Sequence, residues 1–74
     1  MVHPASGEIV TYVVGYNTFR NRWIVRREQE RVASARKKKP AVKHARKIAK
    51  SNRPSELIVG RKDGTGFTEE TIYD

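Results

Sequence analysis

The chain has 74 residues, no cysteine and a net charge of +8, which leaves room for one domain and excludes a core reinforced by disulfides. No apolar run approaches the roughly 18 residues of a membrane span, and the first residues lack the basic start and apolar centre of a signal peptide. We therefore expect a cytoplasmic protein with no membrane partner.

The positive charge is unevenly distributed along the chain. All 16 Lys and Arg residues fall within residues 20–62 together with three acidic residues, so this segment carries a net charge of +13. The other five acidic residues lie outside it. Such segregation is typical of a surface that binds a polyanion, and the alternative is a generally basic, well-solvated surface.

Residues 1–8 are predicted to form a flexible tail and residues 9–74 a single domain. The first strand is predicted at residues 9–16, IVTYVVGY, because these residues favour β-structure. Both of its faces are largely apolar, whereas a sheet covered by one helix needs one apolar face. We therefore expect the second face to be covered by another copy of the protein. This predicted dimer interface consists of Val10, Tyr12, Val14 and Tyr16.

A turn at residues 17–21 leads to a second strand at Arg22–Arg27, in which Trp23 and Val25 point to one side and Arg22, Ile24 and Arg26 to the other. Trp23 is predicted to be a central core residue, and the alternative role is a stacking platform for a base. A polar turn at residues 28–30 precedes a short third strand at residues 31–35.

The stretch 36–52 is the one segment with clean helical periodicity. With a helix that begins at Pro40, one face is apolar and is formed by Ala41, Val42, Ala45, Ile48 and Ala49. Lys43, Arg46, Lys47 and Lys50 fall on the opposite face, and Lys37, Lys38 and Lys39 stand at its entrance. These three lysines oppose the positive end of the helix dipole, which a bound phosphate would relieve, although exposed lysines are also well solvated. Asn52 is expected to end the helix in a left-handed conformation.

A short apolar strand is predicted at residues 56–60, a turn at Asp63-Gly64, and a last strand within residues 65–73. The element order β-β-β-α-β-β predicts the α+β class: a small antiparallel sheet of four to five strands with one amphipathic helix packed on one face.

The residues needed for catalysis are missing. His3 and His44 are too far apart to form a recognisable metal set, and the serines have no nucleophile elbow or base. Residues 60–66 are rich in glycine but lack the G-K-[ST] ending of a phosphate-binding loop. We expect no enzymatic activity, no cofactor, no metal and no small-molecule substrate.

Nucleic acid is the predicted partner, DNA or RNA with little sequence specificity, because clustered Lys and Arg bind backbone phosphates without a fixed motif. The predicted contact residues lie on the helix, at its entrance and on the second strand: Lys37, Lys38, Lys39, Lys43, Arg46, Lys47, Lys50, Arg22, Arg26 and Arg27. The alternative is a homodimeric protein-interaction module that uses the apolar sheet face as its interface.

Several short motifs occur in a familiar order: W-x-V at Trp23 and Val25, E-R-x-A-S at 30–34, A-R-K-I-A-K at 45–50, and S-E-L-I-V-G-R-K-D-G at 55–64 before Tyr73. Together they resemble the small prokaryotic family catalogued as domain of unknown function 2188. The resemblance supports the fold and implies no activity or site residues. Members of that family tend to open the helix with Ser, Thr or Asp and to include Glu in it. This chain has Lys37-Lys38-Lys39-Pro40 there and no acidic residue between Arg31 and Arg53.

Overall fold

Five strands and one helix make up residues 9–74, the part of the chain that the computed structural model describes. The elements are β1 (Val10–Asn17), β2 (Arg22–Arg27), β3 (Glu30–Ala35), α1 (Lys38–Ser51), β4 (Ser55–Gly60) and β5 (Phe67–Tyr73). This order confirms the predicted α+β class and the β-β-β-α-β-β succession. The tail predicted at residues 1–8 lies outside the described residues.

The strands form a single sheet in the order β3-β2-β1-β4-β5. Neighbouring strands are antiparallel except β1 and β4, which pair in parallel with Tyr12 opposite Leu57. The parallel pair arises because α1 carries the chain from the β3 edge back across the sheet, so that β4 enters in the same direction as β1. The sheet is therefore mixed, and the antiparallel sheet of the prediction applies to the other three pairs.

Polar side chains fix the two turns that flank the central strands. The Asn17 side-chain oxygen accepts hydrogen bonds from the backbone N–H groups of Phe19 and Arg20, at 2.9 and 3.1 Å. In the other turn, Asp63 Oδ1 accepts from the Thr65 hydroxyl at 2.7 Å and from its N–H at 3.0 Å, and Gly64 has a φ of 77°. Both turns use short polar side chains in place of a backbone partner, as sequence-based turn signals predict.

The core lies between α1 and one face of the sheet. Ala41, Ala45 and Ala49 are fully buried, and these small side chains allow the helix backbone to approach the larger Tyr12 and Leu57 closely. Trp23 is 5% exposed and belongs to the same cluster. The predicted apolar helix face and the core position of Trp23 are therefore confirmed.

The face of β1 that was predicted to bind a second copy is instead the face that α1 covers. Tyr12 and Val14 are fully buried, and Val10 and Tyr16 pack against the same core at its margin. These four residues therefore do not form an exposed dimer interface. The prediction was wrong because alternation separates the two faces of a strand without showing which one the helix covers.

The helix begins at Lys38, two residues before the predicted start, with Lys37 as an N-cap that makes no side-chain capping hydrogen bond. Pro40 then lies in the first turn, where its missing N–H has no intrahelical partner to lose. At the other end Asn52 has a φ of −126° and is not left-handed, contrary to the prediction. Its side-chain amide donates to the Ile48 carbonyl at 2.8 Å instead.

Ser55 joins the end of the helix to the centre of the sheet. Its hydroxyl is fully buried and donates to the Ala49 carbonyl at 2.6 Å. The Tyr12 hydroxyl is also buried, and no hydrogen-bond partner for it is found among residues 9–74. Removal of the Ser55 hydroxyl would therefore break a buried hydrogen bond, whereas removal of the Tyr12 hydroxyl would break none of those found among residues 9–74.

We expect Ser55→Ala to lower the free energy of unfolding by about 1 kcal/mol, because a satisfied buried hydrogen bond is lost. Tyr12→Phe removes the other buried hydroxyl and is expected to leave that free energy unchanged or higher, because no such bond is broken. Urea denaturation of both variants measures the difference. Equal losses would contradict the assigned role of Ser55.

Candidate nucleic-acid interface

The outward face of α1 carries a strip of lysines, named here the helix strip: Lys39, Lys43, Lys47 and Lys50. All four are exposed, and their position follows from the burial of Ala41, Ala45 and Ala49 on the opposite side of the same helix. At about 1.5 Å of rise per residue, the eleven steps from Lys39 to Lys50 span roughly 16 Å. No Asp or Glu occurs within the helix, so the strip has no neutralising neighbour on its own element.

The three lysines at the entrance of the helix, Lys37, Lys38 and Lys39, differ in exposure and in contacts. Lys37 and Lys39 are exposed, whereas Lys38 is half-buried. The Lys38 Nζ lies 5.3 Å from the centroid of the Trp23 ring and donates to the Thr68 hydroxyl at 3.1 Å. This cation–π contact and hydrogen bond direct the Lys38 ammonium toward the sheet. Lys38 therefore serves the packing of the helix on the sheet.

Arg46 is held by β5. Its Nη2 lies 2.7 Å from a carboxylate oxygen of Glu69, and its Nε donates to the other oxygen at 3.3 Å. This is the one salt bridge found within residues 9–74. The hydrogen bond to Arg46 lowers the pKa of Glu69, and the same bond raises the pKa of Arg46. The bidentate geometry is the strong form of an Arg–carboxylate pair.

A groove between α1 and β5 lies beside this pair. Lys39, Val42 and Lys43 line it on the helix side, and Val59, Thr68 and Glu69 on the sheet side. Thr68 and Glu69 were absent from the predicted site because they lie 30 and 23 residues along the chain from their partners Lys38 and Arg46, and the path of the last strand was undefined. The feature of the sequence that could have indicated this contact is the acidic pair Glu69-Glu70, which interrupts the apolar pattern of β5.

The arginines of β2 do not extend the helix strip. Trp23 and Val25 face α1, so alternation places Arg22 and Arg26 on the other face of the sheet. Arg27 lies on the same face of the sheet as Trp23, and its cross-strand neighbours are Tyr12 on β1 and Glu30 on β3. Of the ten residues predicted to contact nucleic acid, the structure therefore brings together five exposed lysines: Lys37, Lys39, Lys43, Lys47 and Lys50.

Within residues 9–74, no three His, Cys, Asp or Glu side chains are grouped so that they could hold a metal ion. Helix α1, the one helix described in residues 9–74, is not long and apolar enough to cross a membrane.

Comparison with known proteins gives one match. A family model described as "Uncharacterized protein conserved in bacteria" matches residues 13–72, which run from the middle of β1 to the penultimate residue of β5. Neither the curated proteins nor the solved structures yielded a match.

The Arg46–Glu69 pair is expected to make stability depend on pH. The pKa of Glu69 is lower in the folded chain than its unfolded value of about 4.3, so the pair stabilises the fold above that pH and the contribution disappears as pH falls through the folded pKa. We expect Glu69→Gln to lower the free energy of unfolding by about 0.2–1 kcal/mol at neutral pH, with the difference vanishing in acid.

Thermal unfolding of the wild type and of Glu69→Gln across pH 2–7 tests this pair. Glu70→Gln is the matched control, because Glu70 lies on the opposite face of the same strand and is expected to change stability less. A Glu69→Gln effect that persists unchanged at the lowest pH would contradict the assignment.

Proposed function

We propose that this chain, which belongs to the DUF2188 family of uncharacterized bacterial proteins, is a small non-enzymatic protein that binds nucleic acid in the cytoplasm. Contact is made between the lysines of the helix strip and backbone phosphates. The observation that carries the proposal is the strip itself: four exposed lysines on one face of a helix that has no acidic residue. Lys37 extends the strip at the entrance of the helix.

The chemistry of the strip favours phosphates over bases. Lysine offers a point charge with flexible reach, which suits a phosphodiester backbone. Base edges are commonly read in pairs of hydrogen bonds by Arg or Lys on guanine and by Asn or Gln on adenine, and the planar Arg fork suits this best. The arginine within α1, Arg46, is held by Glu69 at 2.7 Å. The proposed binding is therefore largely independent of sequence.

The size of the strip sets the expected salt dependence. At 3.4 Å per nucleotide along one strand of B-DNA, a strip of roughly 16 Å runs alongside about five phosphates. If each of the four lysines neutralises one phosphate, the slope of log K against log salt is about −3.6 for a duplex. A slope near zero would contradict a phosphate-binding role.

The first test removes the strip. Lys43→Glu, Lys47→Glu and Lys50→Glu in one variant reverse three charges on the outward face and are expected to abolish measurable binding. The substituted residues are all exposed, so the fold should be preserved, which circular dichroism verifies. Anisotropy titrations with duplex DNA, single-stranded DNA and RNA at two salt concentrations provide the measurement.

The matched control is the variant Arg20→Glu, Arg61→Glu and Lys62→Glu. It makes the same change in net charge at three exposed residues in the β1–β2 and β4–β5 turns. We expect this control to weaken binding far less than the strip variant. Equal loss in the two variants would mean that overall charge, and not the helix strip, determines the affinity.

A gain of affinity is expected from Glu69→Gln. The substitution removes one negative charge from the groove beside the strip and frees the Arg46 guanidinium, which is now held at 2.7 Å. Tighter binding with a salt slope steeper by about 0.9 would indicate one additional phosphate contact. Glu70→Gln removes the same charge on the other face and serves as control. Equal gains in both variants would indicate a charge effect without a role for Arg46.

A further inference from the structure

No helix described in residues 9–74 covers the face of the sheet that points away from α1, named here the open face. Several of its apolar side chains are partly or largely exposed, whereas Ile24 on β2 is only 3% exposed. Val13 and Ile58 are half-buried at its centre. Phe67 and Ile72, on β5, are 56% and 59% exposed. A Cβ placed on Gly15 would meet no atom within 4 Å, so the missing side chain leaves a depression beside them. Exposed apolar groups clustered in this way are typical of an interaction surface.

The charges of the open face are separated by strand. One row of cross-strand neighbours runs over all five strands in the order Arg31, Arg26, Val13, Ile58, Glu70. The row is basic on β3 and β2, apolar on β1 and β4, and acidic on β5. Arg31 and Glu70 are both exposed, at opposite edges of the sheet, so neither can neutralise the other within one molecule.

We propose that the occupant of the open face is a second copy of this chain, related by a two-fold axis that runs along β1 between the two sheets. Such an axis exchanges the two sides of the row. Val13 then lies against Val13 of the second copy, and Arg31 lies against Glu70 of the second copy. The two charged ends of the row are complementary under this operation, as an isologous interface requires, and Arg26 lies against the apolar Ile58 of the second copy.

A second row supports the same axis. At one end of this row, Ser34 on β3 is next to Ile24 on β2, and Ile24 is next to Gly15 on β1. At the other end, Gly60 on β4 is next to Phe67 on β5. The axis brings the exposed Phe67 of each copy over the small Ser34 of the other. The glycines in the middle of the row let the sheets approach to the usual face-to-face separation of about 10 Å. The third row contains Thr11, Glu56 and Ile72 and has no basic partner for Glu56, so the contact centres on the first two rows.

The area of the open face limits the strength of the dimer. Five strands about 4.8 Å apart and roughly 20 Å long offer about 400 Å² of projected area per copy. This is about half of the roughly 800 Å² per partner that a standard specific interface buries, and it is in the range of weak, transient contacts. The dimer is therefore expected to depend on concentration. The helix strips lie outside it, so dimerisation does not depend on the proposed nucleic-acid binding.

The test exchanges charges at the two exposed edge residues. Arg31→Glu alone and Glu70→Lys alone each place like charges opposite one another in a homodimer, and each is expected to remove the dimer. Mixed in equal amounts, the two variants restore both opposite-charge contacts in a heterodimer. The double variant with both substitutions restores them in a homodimer. Sedimentation velocity from micromolar to millimolar concentration, without nucleic acid, follows the mass from 8.5 kDa to twice that value.

Dimerisation of the wild type, its loss in each single variant and its return in the mixture and in the double variant would support the proposal. A wild type that stays monomeric up to millimolar concentration would overturn it. Loss of the dimer in the single variants without recovery in the mixture would overturn the opposition of Arg31 and Glu70. A dimer that neither single variant affects would overturn the open face as its interface and indicate pairing elsewhere, such as at a sheet edge. Phe67→Ser, at an exposed apolar position of the second row, should weaken the dimer while leaving the unfolding transition unchanged.

Discussion

The close approach of α1 to the sheet is the constraint on which the rest of the structure depends. Ala41, Ala45 and Ala49 are fully buried at four-residue intervals, and their small size lets a single helix cover the bulky side chains of four strands. The same periodicity directs Lys43, Lys47 and Lys50 outward, because a residue opposite a buried alanine on the helix must face solvent. Core packing and the presentation of positive charge are therefore two results of one pattern. A larger residue at the central Ala45 would disturb both, since overpacking shifts backbones.

The cations of the chain divide into two groups according to their partners. Lys38 and Arg46 lie on the flank of the helix that adjoins β5, where the Trp23 ring, the Thr68 hydroxyl and the Glu69 carboxylate receive them. Lys39 and Lys43 of the helix strip line the groove beside these groups, but no ion pair of the strip is found within residues 9–74. Lysines near the N-terminus of a helix also oppose its dipole, and the Lys37 cap makes no side-chain hydrogen bond to offset this. The charge distribution at this end of α1 thus lowers the stability of the isolated helix, and the anionic partner proposed above would offset that effect.

Much of this fold could be predicted from the sequence, because strand alternation and helical periodicity are local. The bounds of β2 and the buried face of α1 are examples. The covered side of β1 could not be predicted, since residues 9–16 are apolar on both faces and only the position of the helix decides between them. Arg22 and Arg26 were predicted to join the helix strip for the same reason. Alternation separated these two arginines from Trp23, but the sequence did not show which face of the sheet the helix covers. The Arg46–Glu69 pair spans 23 residues, and no local pattern indicates such a contact. The parallel pairing of β1 and β4 depends on the crossover as a whole.

The parallel pairing of β1 with β4 also bears on how long β1 would be an unpaired edge strand during folding. β1, β2 and β3 can pair through local turns as the chain is synthesised, whereas β4 arrives only after the whole of α1. Until then β1 is an edge strand with unpaired N–H and C=O groups, and the helix that covers Tyr12 has not yet docked. A long apolar edge of this kind is a template for pairing with other chains. Addition of β4 and β5 converts β1 from an exposed edge into the middle strand of the sheet. A partly folded chain without β4 and β5 would therefore expose β1 as such an edge, and the β1–β4 pair has the longest loop to close.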